Sequence, residues 1–181
     1  MIKKRRVEDM LAESLKELVQ TKPFYKITVQ DIASNCNLTR TTFYRHFQDK
    51  YELMNWIYLD MSLQFKERHC CGYRWEDFLM FCISFIEENQ TYFQSIIPMN
   101  GQNSFHQFWI ENGEKNCIKL IRQKLAKKDL PEEVMLQVRF YHAGVYALMS
   151  DWVMEGCKIE TKSLVSILVQ CMPAELHRYL D

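Results

Sequence analysis

Thr28-Val29-Gln30-Asp31-Ile32-Ala33-Ser34-Asn35-Cys36-Asn37-Leu38-Thr39-Arg40-Thr41-Thr42-Phe43-Tyr44-Arg45-His46-Phe47-Gln48-Asp49-Lys50 reads as two short helices joined by a tight turn. Thr28 precedes the apolar Val29, Ile32 and Ala33, with Asp31 three residues on, so its hydroxyl caps the first free amides while Asp31 closes a capping box. Cys36-Asn37-Leu38 follows, and asparagine is among the few non-glycine residues that tolerate a left-handed backbone. The chain can therefore reverse here without glycine.

Thr39 is the next cap. From it, a rotation of about 100° per residue puts Phe43 and Phe47 on one side, toward a core. The same rotation sets Thr41 and Arg45 opposite the two rings, Tyr44 and His46 on the flanks, and Arg40 at the exposed start. An outward face of hydroxyls, guanidinium, phenol and imidazole suits a nucleic-acid groove. In a helix-turn-helix the first turn of the second helix meets base edges in the major groove while flanking groups hold phosphates. Arg40 is the expected base reader, because its fork can pair with guanine O6 and N7. Asp49-Lys50-Tyr51-Glu52 opens a third helix, and free amides beside Lys50 form the expected phosphate clamp.

Outward from these residues a family resemblance emerges. The run Ile-Thr-Val-x-x-Ile-Ala, then Leu-Thr-Arg-Thr-Thr-Phe-Tyr-Arg-His-Phe, then Asp-Lys-x-x-Leu resembles the DNA-binding domain of the TetR family of bacterial transcription regulators, over roughly the first third of the chain. Two departures are Asn37, where the family usually has glycine, and Thr41, where many members have a small residue; the second is expected to alter the operator sequence. With the resemblance, the expected DNA-contacting residues are Thr28, Gln30, Thr39, Arg40, Thr41, Thr42, Tyr44, Arg45, His46 and Lys50. The plainer readings stand beside these: Ile32, Leu38, Phe43 and Phe47 are packing residues, and Thr28, Thr39 and Asp49 are helix caps first. His46 on its own reads as a structural or solvated histidine.

With 48% hydrophobic residues and 13% aromatics, 181 residues can bury a sizeable core, which excludes disorder. The zero net charge argues against indiscriminate coating of nucleic acid, yet residues 1–50 hold ten Lys and Arg against six Asp and Glu, and the remainder the opposite excess. A basic head on an acidic body suits local DNA contact. There is no signal-peptide pattern at the start and no apolar run of about 18 residues, so a cytoplasmic protein that meets no membrane is expected. Seven cysteines are an odd number for a disulfide framework and read as reduced small hydrophobes. His69-Cys70-Cys71 is the one local cluster suggestive of metal, but consecutive helical positions diverge by about 100°, so no metal or cofactor is expected.

Taken in order, Lys3-Lys4-Arg5-Arg6 precedes an amphipathic helix through Leu11, Leu15 and Val19 and could reach phosphates. The third helix continues from Asp49 to about Cys70, longer than a three-helix domain needs, and so must join it to something else. Beyond Gly72, helices are expected over residues 75–89, 92–97, 104–128 and 131–155, with a last one opening at Thr161 or Ser163 and a terminal turn from Pro173. Asn100-Gly101-Gln102-Asn103 is a polar turn, and Ala143, Gly144 and Ala147 let another helix approach closely.

The expected fold is all-α: an N-terminal three-helix DNA-binding domain over residues 1–50, whose last helix runs on to about 70, and a C-terminal helical bundle over 71–181 that dimerises. The resemblance implies a homodimer on a palindromic double-stranded DNA operator, a repressor controlled by a small-molecule or protein effector in the C-terminal bundle. Phe78, Phe81, Phe85, Phe93, Phe108, Trp109, Phe140, Tyr141 and Tyr146 are material for a pocket, though aromatics at helical spacing are more often plain core, and no single effector-binding residue is assigned. Residues 142–156 also resemble the body of a TetR branch that includes regulators of dihydroxyacetone kinase operons, which would admit a protein signal and an activating output. An enzyme is not expected, since there is no Gly-rich phosphate loop, His-Glu-x-x-His or paired Cys-x-x-Cys. The competing reading is a helical interaction adaptor or co-activator with little DNA binding of its own.

Overall fold

The computed structural model describes residues 6–69, 72–99, 101, 104–126 and 129–180, and within them it is all-helical. The order is α1 (Val7–Leu18), one 3-10 turn (Phe24–Lys26), α2 (Val29–Asn35), α3 (Arg40–Tyr44), α4 (Lys50–Arg68), α5 (Trp75–Glu88), α6 (Gln90–Ile96), α7 (Phe105–Leu125), α8 (Glu132–Met154), α9 (Thr161–Gln170) and α10 (Ala174–Leu180).

The head forms as its caps direct. Thr28 Oγ1 accepts from the Asp31 amide at 3.1 Å, and the Asp31 carboxylate accepts from the Thr28 amide at 2.8 Å. Asn37 sits at φ 57°, and Leu38 N–H reaches back to the Ala33 carbonyl at 2.8 Å, so the reversal uses the left-handed residue where it was expected. Leu11, Leu15, Ile32 and Phe43 are fully buried together, and the buried Ser14 hydroxyl donates to the Ile32 carbonyl at 2.7 Å, fastening α1 to α2.

One expectation is corrected in length. The second helix was to carry Phe43 and Phe47 alike, but α3 ends at Tyr44, and Arg45 and His46 lie beyond it. Asp49 must be extended to cap α4, accepting from Tyr51 N and Glu52 N at 2.8 Å each, so the chain has to leave the helix first. Phe47 still returns to the core through its amide on the Phe43 carbonyl at 3.0 Å.

α4 is the long member, about 28 Å at 1.5 Å per residue. It buries Leu53, Met54 and Ile57 in its first half and Met61 and Phe65 in its second, packing on α1, α5 and α7 in turn. In the body, α7 lies along α8, α5 along α9, and α10 closes on α7 and α8. α10 replaces the expected terminal turn: Pro173 starts a helix because Leu176 and Leu180 find buried positions. Gly156 (φ 92°) and Cys157 (φ 55°) turn the chain after α8, and the Trp152 indole N–H donates to the Ile159 carbonyl at 2.8 Å across that turn. Asn100, Gln102, Asn103, Lys127 and Lys128, expected in a polar turn and at the end of α7, lie outside the described residues.

Asn37 is where the head's backbone is most constrained. Asn37→Val should lower stability by about 1–2 kcal/mol, the cost of a left-handed β-branched residue, while Asn37→Gly should be neutral or stabilising. Thermal melting of the three proteins checks the order.

Candidate nucleic-acid interface and body cavity

The outward face of the head gathers around α3. Arg40 occupies its first turn with the guanidinium carbon 5.8 Å from the Tyr44 ring centroid and Nη2 3.4 Å from the phenol oxygen. Both side chains are exposed, Tyr44 by half, so the pair presents a stacked cation and phenol to solvent. Thr41 and Arg45 are exposed beside them. Thr39 and Thr42 are occupied locally: Thr39 Oγ1 accepts from Thr42 N at 3.1 Å, and the two hydroxyls lie 3.0 Å apart. On α2 the Gln30 amide donates to the Ser34 hydroxyl at 2.6 Å, and the Thr28 hydroxyl donates to Asp31 at 2.8 Å. Lys22 binds the same Asp31 oxygen at 2.7 Å, and that pairing, with the Thr28 bonds, holds the Asp31 carboxyl down at about 2.

The expected phosphate clamp, Lys50, is turned inward. Lys50 Nζ donates to the carbonyls of Ile27 (2.7 Å), Phe24 (2.9 Å) and Tyr25 (3.2 Å), which occupies all three of its protons. It also lies 4.8 Å from the Phe24 ring centroid, and burial lowers its pKa. The reason is local: within the 3-10 turn and Ile27 after it, the Phe24 carbonyl already accepts from the Ile27 amide at 3.1 Å, but the Tyr25 and Ile27 carbonyls show no backbone donor among the described residues, and Lys50 supplies one. His46 Nδ1 lies 3.0 Å from Glu8 Oε1, joining the residues after α3 to α1. In the basic start, Lys3, Lys4 and Arg5 lie outside the described residues, and Arg6 pairs with Asp9 (2.9 Å) and Asp60 (2.8 Å) and lies over the Trp56 ring.

Tyr25, 61% exposed with Lys26 Nζ 5.8 Å from its ring centroid, stands just before Thr28 and was passed over in the sequence. An aromatic residue flanked by Lys22 and Lys26 was the available signal.

The body encloses a cavity of about 40 Å³ between α4, α5, α7 and α8. Of the expected aromatics, Phe78, Trp109 and Tyr141 line it. Phe81 and Phe85 line a separate cleft toward α1, Phe93 is plain core, and Phe140 is 73% exposed on the far side of α8. Lys66, Cys82, Asn112 and His142 complete the wall and had no distinguishing pattern in the sequence. His142 Nδ1 meets the Val138 carbonyl at 2.9 Å, and burial lowers its pKa, which favours the neutral ring. It lies so close to α7 that a Cβ on Gly113 would sit 2.4 Å from its Cδ2, so a side chain there would force the ring to shift. No group of three potential metal ligands occurs among the described residues, and Cys70 and Cys71 lie outside them.

Residues 13–56 match the model of bacterial regulatory proteins of the tetR family, and residues 73–173 match a transcriptional regulator C-terminal region of the same family. The chain belongs to the TetR family. It is therefore a transcription regulator with a DNA-binding helix-turn-helix, from a family of regulators and not of enzymes. A curated relative, the HTH-type dhaKLM operon transcriptional activator DhaS of Lactococcus lactis subsp. lactis (strain IL1403), is 25% identical over 93% of this chain and 90% of its own length. The solved structure of a dihydroxyacetone kinase operon activator DhaS superposes with a TM-score of 0.67, at 24% identity over 96% of this chain and 98% of that one. The fatty acid degradation regulator FadR of Bacillus halodurans (TM-score 0.59, 13% identity, 91% and 96% coverage) shares the fold. So does the Thermus thermophilus TetR-family repressor FadR in complex with lauroyl-CoA (TM-score 0.54, 10% identity, 91% and 92% coverage). No helix among the described residues of this TetR-family chain is long and apolar enough to cross a membrane.

The inward Lys50 separates two roles by experiment. Lys50→Met leaves the Tyr25 and Ile27 carbonyls short of a donor and should cost about 1–3 kcal/mol of stability. DNA binding should weaken alike on all sequences with an unchanged salt slope, whereas a phosphate contact would make the slope shallower by about one. Salt titrations of both proteins decide between them.

Proposed function

We propose that this regulator binds a near-palindromic operator in the bacterial cytoplasm as a homodimer and acts as a repressor. On this reading residues 1–50, with α4 running on to about 70, form the DNA-binding unit, and residues 71–181 receive the signal and dimerise. The observation that carries it is the exposed Arg40–Tyr44 pair at the start of α3, beside Thr41 and Arg45, on an otherwise well-packed head. That is the group a major groove accepts, with the Arg40 fork for guanine and Thr28, Gln30, Thr39, Thr42 and His46 near phosphates. Lys50 is assigned to positioning, since its protons are spent on carbonyls.

A second copy is supported by one face of the body. Leu136 (55%), Phe140 (73%) and Leu148 (44%) are exposed on α8 at helical spacing, with Ala143, Gly144 and Ala147 exposed between them and Ile167 (43%) on α9. Large apolar side chains bordering small ones suit an isologous four-helix seam, which fixes the distance between two recognition helices.

The cavity beside Lys66 and His142 is the proposed receptor for the effector, and its signal has two routes to the head. α4 carries Lys66 at one end and Lys50 at the other. Within α6, Gln94 donates to the α8 carbonyl of Val153 at 2.8 Å and Ser95 Oγ accepts the Phe24 amide at 3.1 Å. A second reading, an activator, is favoured by the names of two relatives, the Lactococcus protein and the solved DhaS, both called activators.

Selection from a random duplex library tests the proposal. The expected winner is a palindrome bound at least about a thousandfold tighter than scrambled DNA. Arg40→Ala should cost about 1–3 kcal/mol on that site and relax one base position in each half. Absence of any enriched site would favour an adaptor. In the same assay Phe140→Lys should be monomeric by light scattering and lose the palindrome while keeping weak non-specific binding; a dimeric Phe140→Lys protein would exclude this seam.

A further inference from the structure

The cavity of the body has a chemical sign. Trp109 lines it, is 6% exposed, and its indole N–H has no acceptor among the described residues. The indoles of Trp75 and Trp152 show the usual outcome, donating to the Tyr141 hydroxyl at 3.3 Å and to the Ile159 carbonyl at 2.8 Å. A buried N–H without a partner is destabilising, so Trp109 is a donor held for something the chain does not supply.

Lys66 is a second donor on the same wall. It is half-buried with its ammonium 5.5 Å from the Phe78 ring centroid, and burial lowers its pKa. The other groups it senses are Cys82, whose thiol burial pushes up to about 12 and so keeps neutral, and Lys119, a like charge. No aspartate or glutamate lines the cavity among the described residues. The rest of the wall is largely flat and apolar, with Tyr58, Trp75 and Phe78 contributing rings.

We infer that the cavity takes a small planar organic anion, an aromatic ring bearing one carboxylate, whose oxygen accepts the Trp109 N–H and whose charge faces the Lys66 ammonium. The inference rests on the effector reading above and adds the ligand class to it. At about 40 Å³ the cavity has room for only about three water-sized groups, so a ring enters as the half-buried Phe78 and Lys66 move outward. Lys66 lies on α4, so that movement bears on the helix that begins at Lys50.

Calorimetric titration of the full chain with benzoate, benzyl alcohol and benzylamine tests the class, because the three share a ring and differ in charge. Benzoate should bind at least about tenfold tighter than benzyl alcohol, and benzylamine should not bind, since a charge-assisted hydrogen bond is worth that factor or more. Trp109→Phe, which keeps a ring and removes the donor, should weaken benzoate several-fold. Lys66→Met should bring benzoate down to the level of benzyl alcohol, and Lys66→Arg should restore it; melting curves of all variants verify that they fold. Equal affinity for the three probes, indifference of benzoate to both substitutions, or no binding by any probe each overturns the anion assignment. Operator affinity separates this outcome from the effector reading. Benzoate that binds without changing DNA affinity upholds the anion site and removes its role as a signal input; benzyl alcohol or benzylamine that binds better and shifts DNA affinity does the reverse.

Discussion

A single ammonium sets the position of the DNA-reading head. The carbonyls of Phe24, Tyr25 and Ile27 converge on Lys50 Nζ, at the first turn of α4. These carbonyls belong to a single 3-10 turn and the residue after it, and those of Tyr25 and Ile27 have no backbone donor among the described residues, which is costly unless something else donates. Lys50 meets that need with three bonds, which offset the burial that lowers its own pKa. The loop is held from its other side by the Phe24 amide on Ser95 Oγ of α6. Thr28 follows at once and caps α2, so the entry of the helix-turn-helix is set by α4 and α6 together. A group read from its sequence neighbours as a DNA contact thus acts first as the joint between head and body.

The caps and the turn of the head were legible because each depends on residues three or four apart: Thr28 with Asp31, Thr39 with Thr42, Asp49 with Tyr51 and Glu52. Asn37 was legible for the same reason, since few residues accept its backbone conformation. The carbonyl bonds of Lys50 were not legible because its partners lie more than twenty positions away, and a lysine at a helix start looks the same whether it points to solvent or to carbonyls. The end of α3 was missed because Phe43 and Phe47 keep their core positions whether a helix or a turn joins them. α10 was missed because Leu176 and Leu180 become a helical face only once α7 and α8 are there to cover them.

Aromatic residues show the limit of composition most clearly. Phe93, Trp109 and Phe140 are all large aromatics at helical spacing, yet one is core, one lines a cavity with an unmet donor, and one stands on the surface. Periodicity places a residue on a helix face but does not say what that face meets, and on α8 the faces meet different things. Tyr141, His142 and Val145 form cavity wall, while Phe140, Ala143, Gly144 and Ala147 are exposed beside them.

That division matters for how a signal could travel. A helix is only about 10–12 Å across, so the cavity and the proposed dimer seam are two sides of one rigid rod. His142 fits against Gly113 with no space for a Cβ, which leaves the α7–α8 contact little slack at that level. A ligand that widened the cavity would therefore be taken up by displacement of α8 or of α4 more readily than by compression between α7 and α8. Displacing α4 acts on Lys50 and the loop it holds; displacing α8 acts on the seam and, through Gln94 and Ser95, on the same loop. On the proposed reading both displacements end at residues 24–27, so the position of the recognition helices would respond to the cavity whichever helix yields.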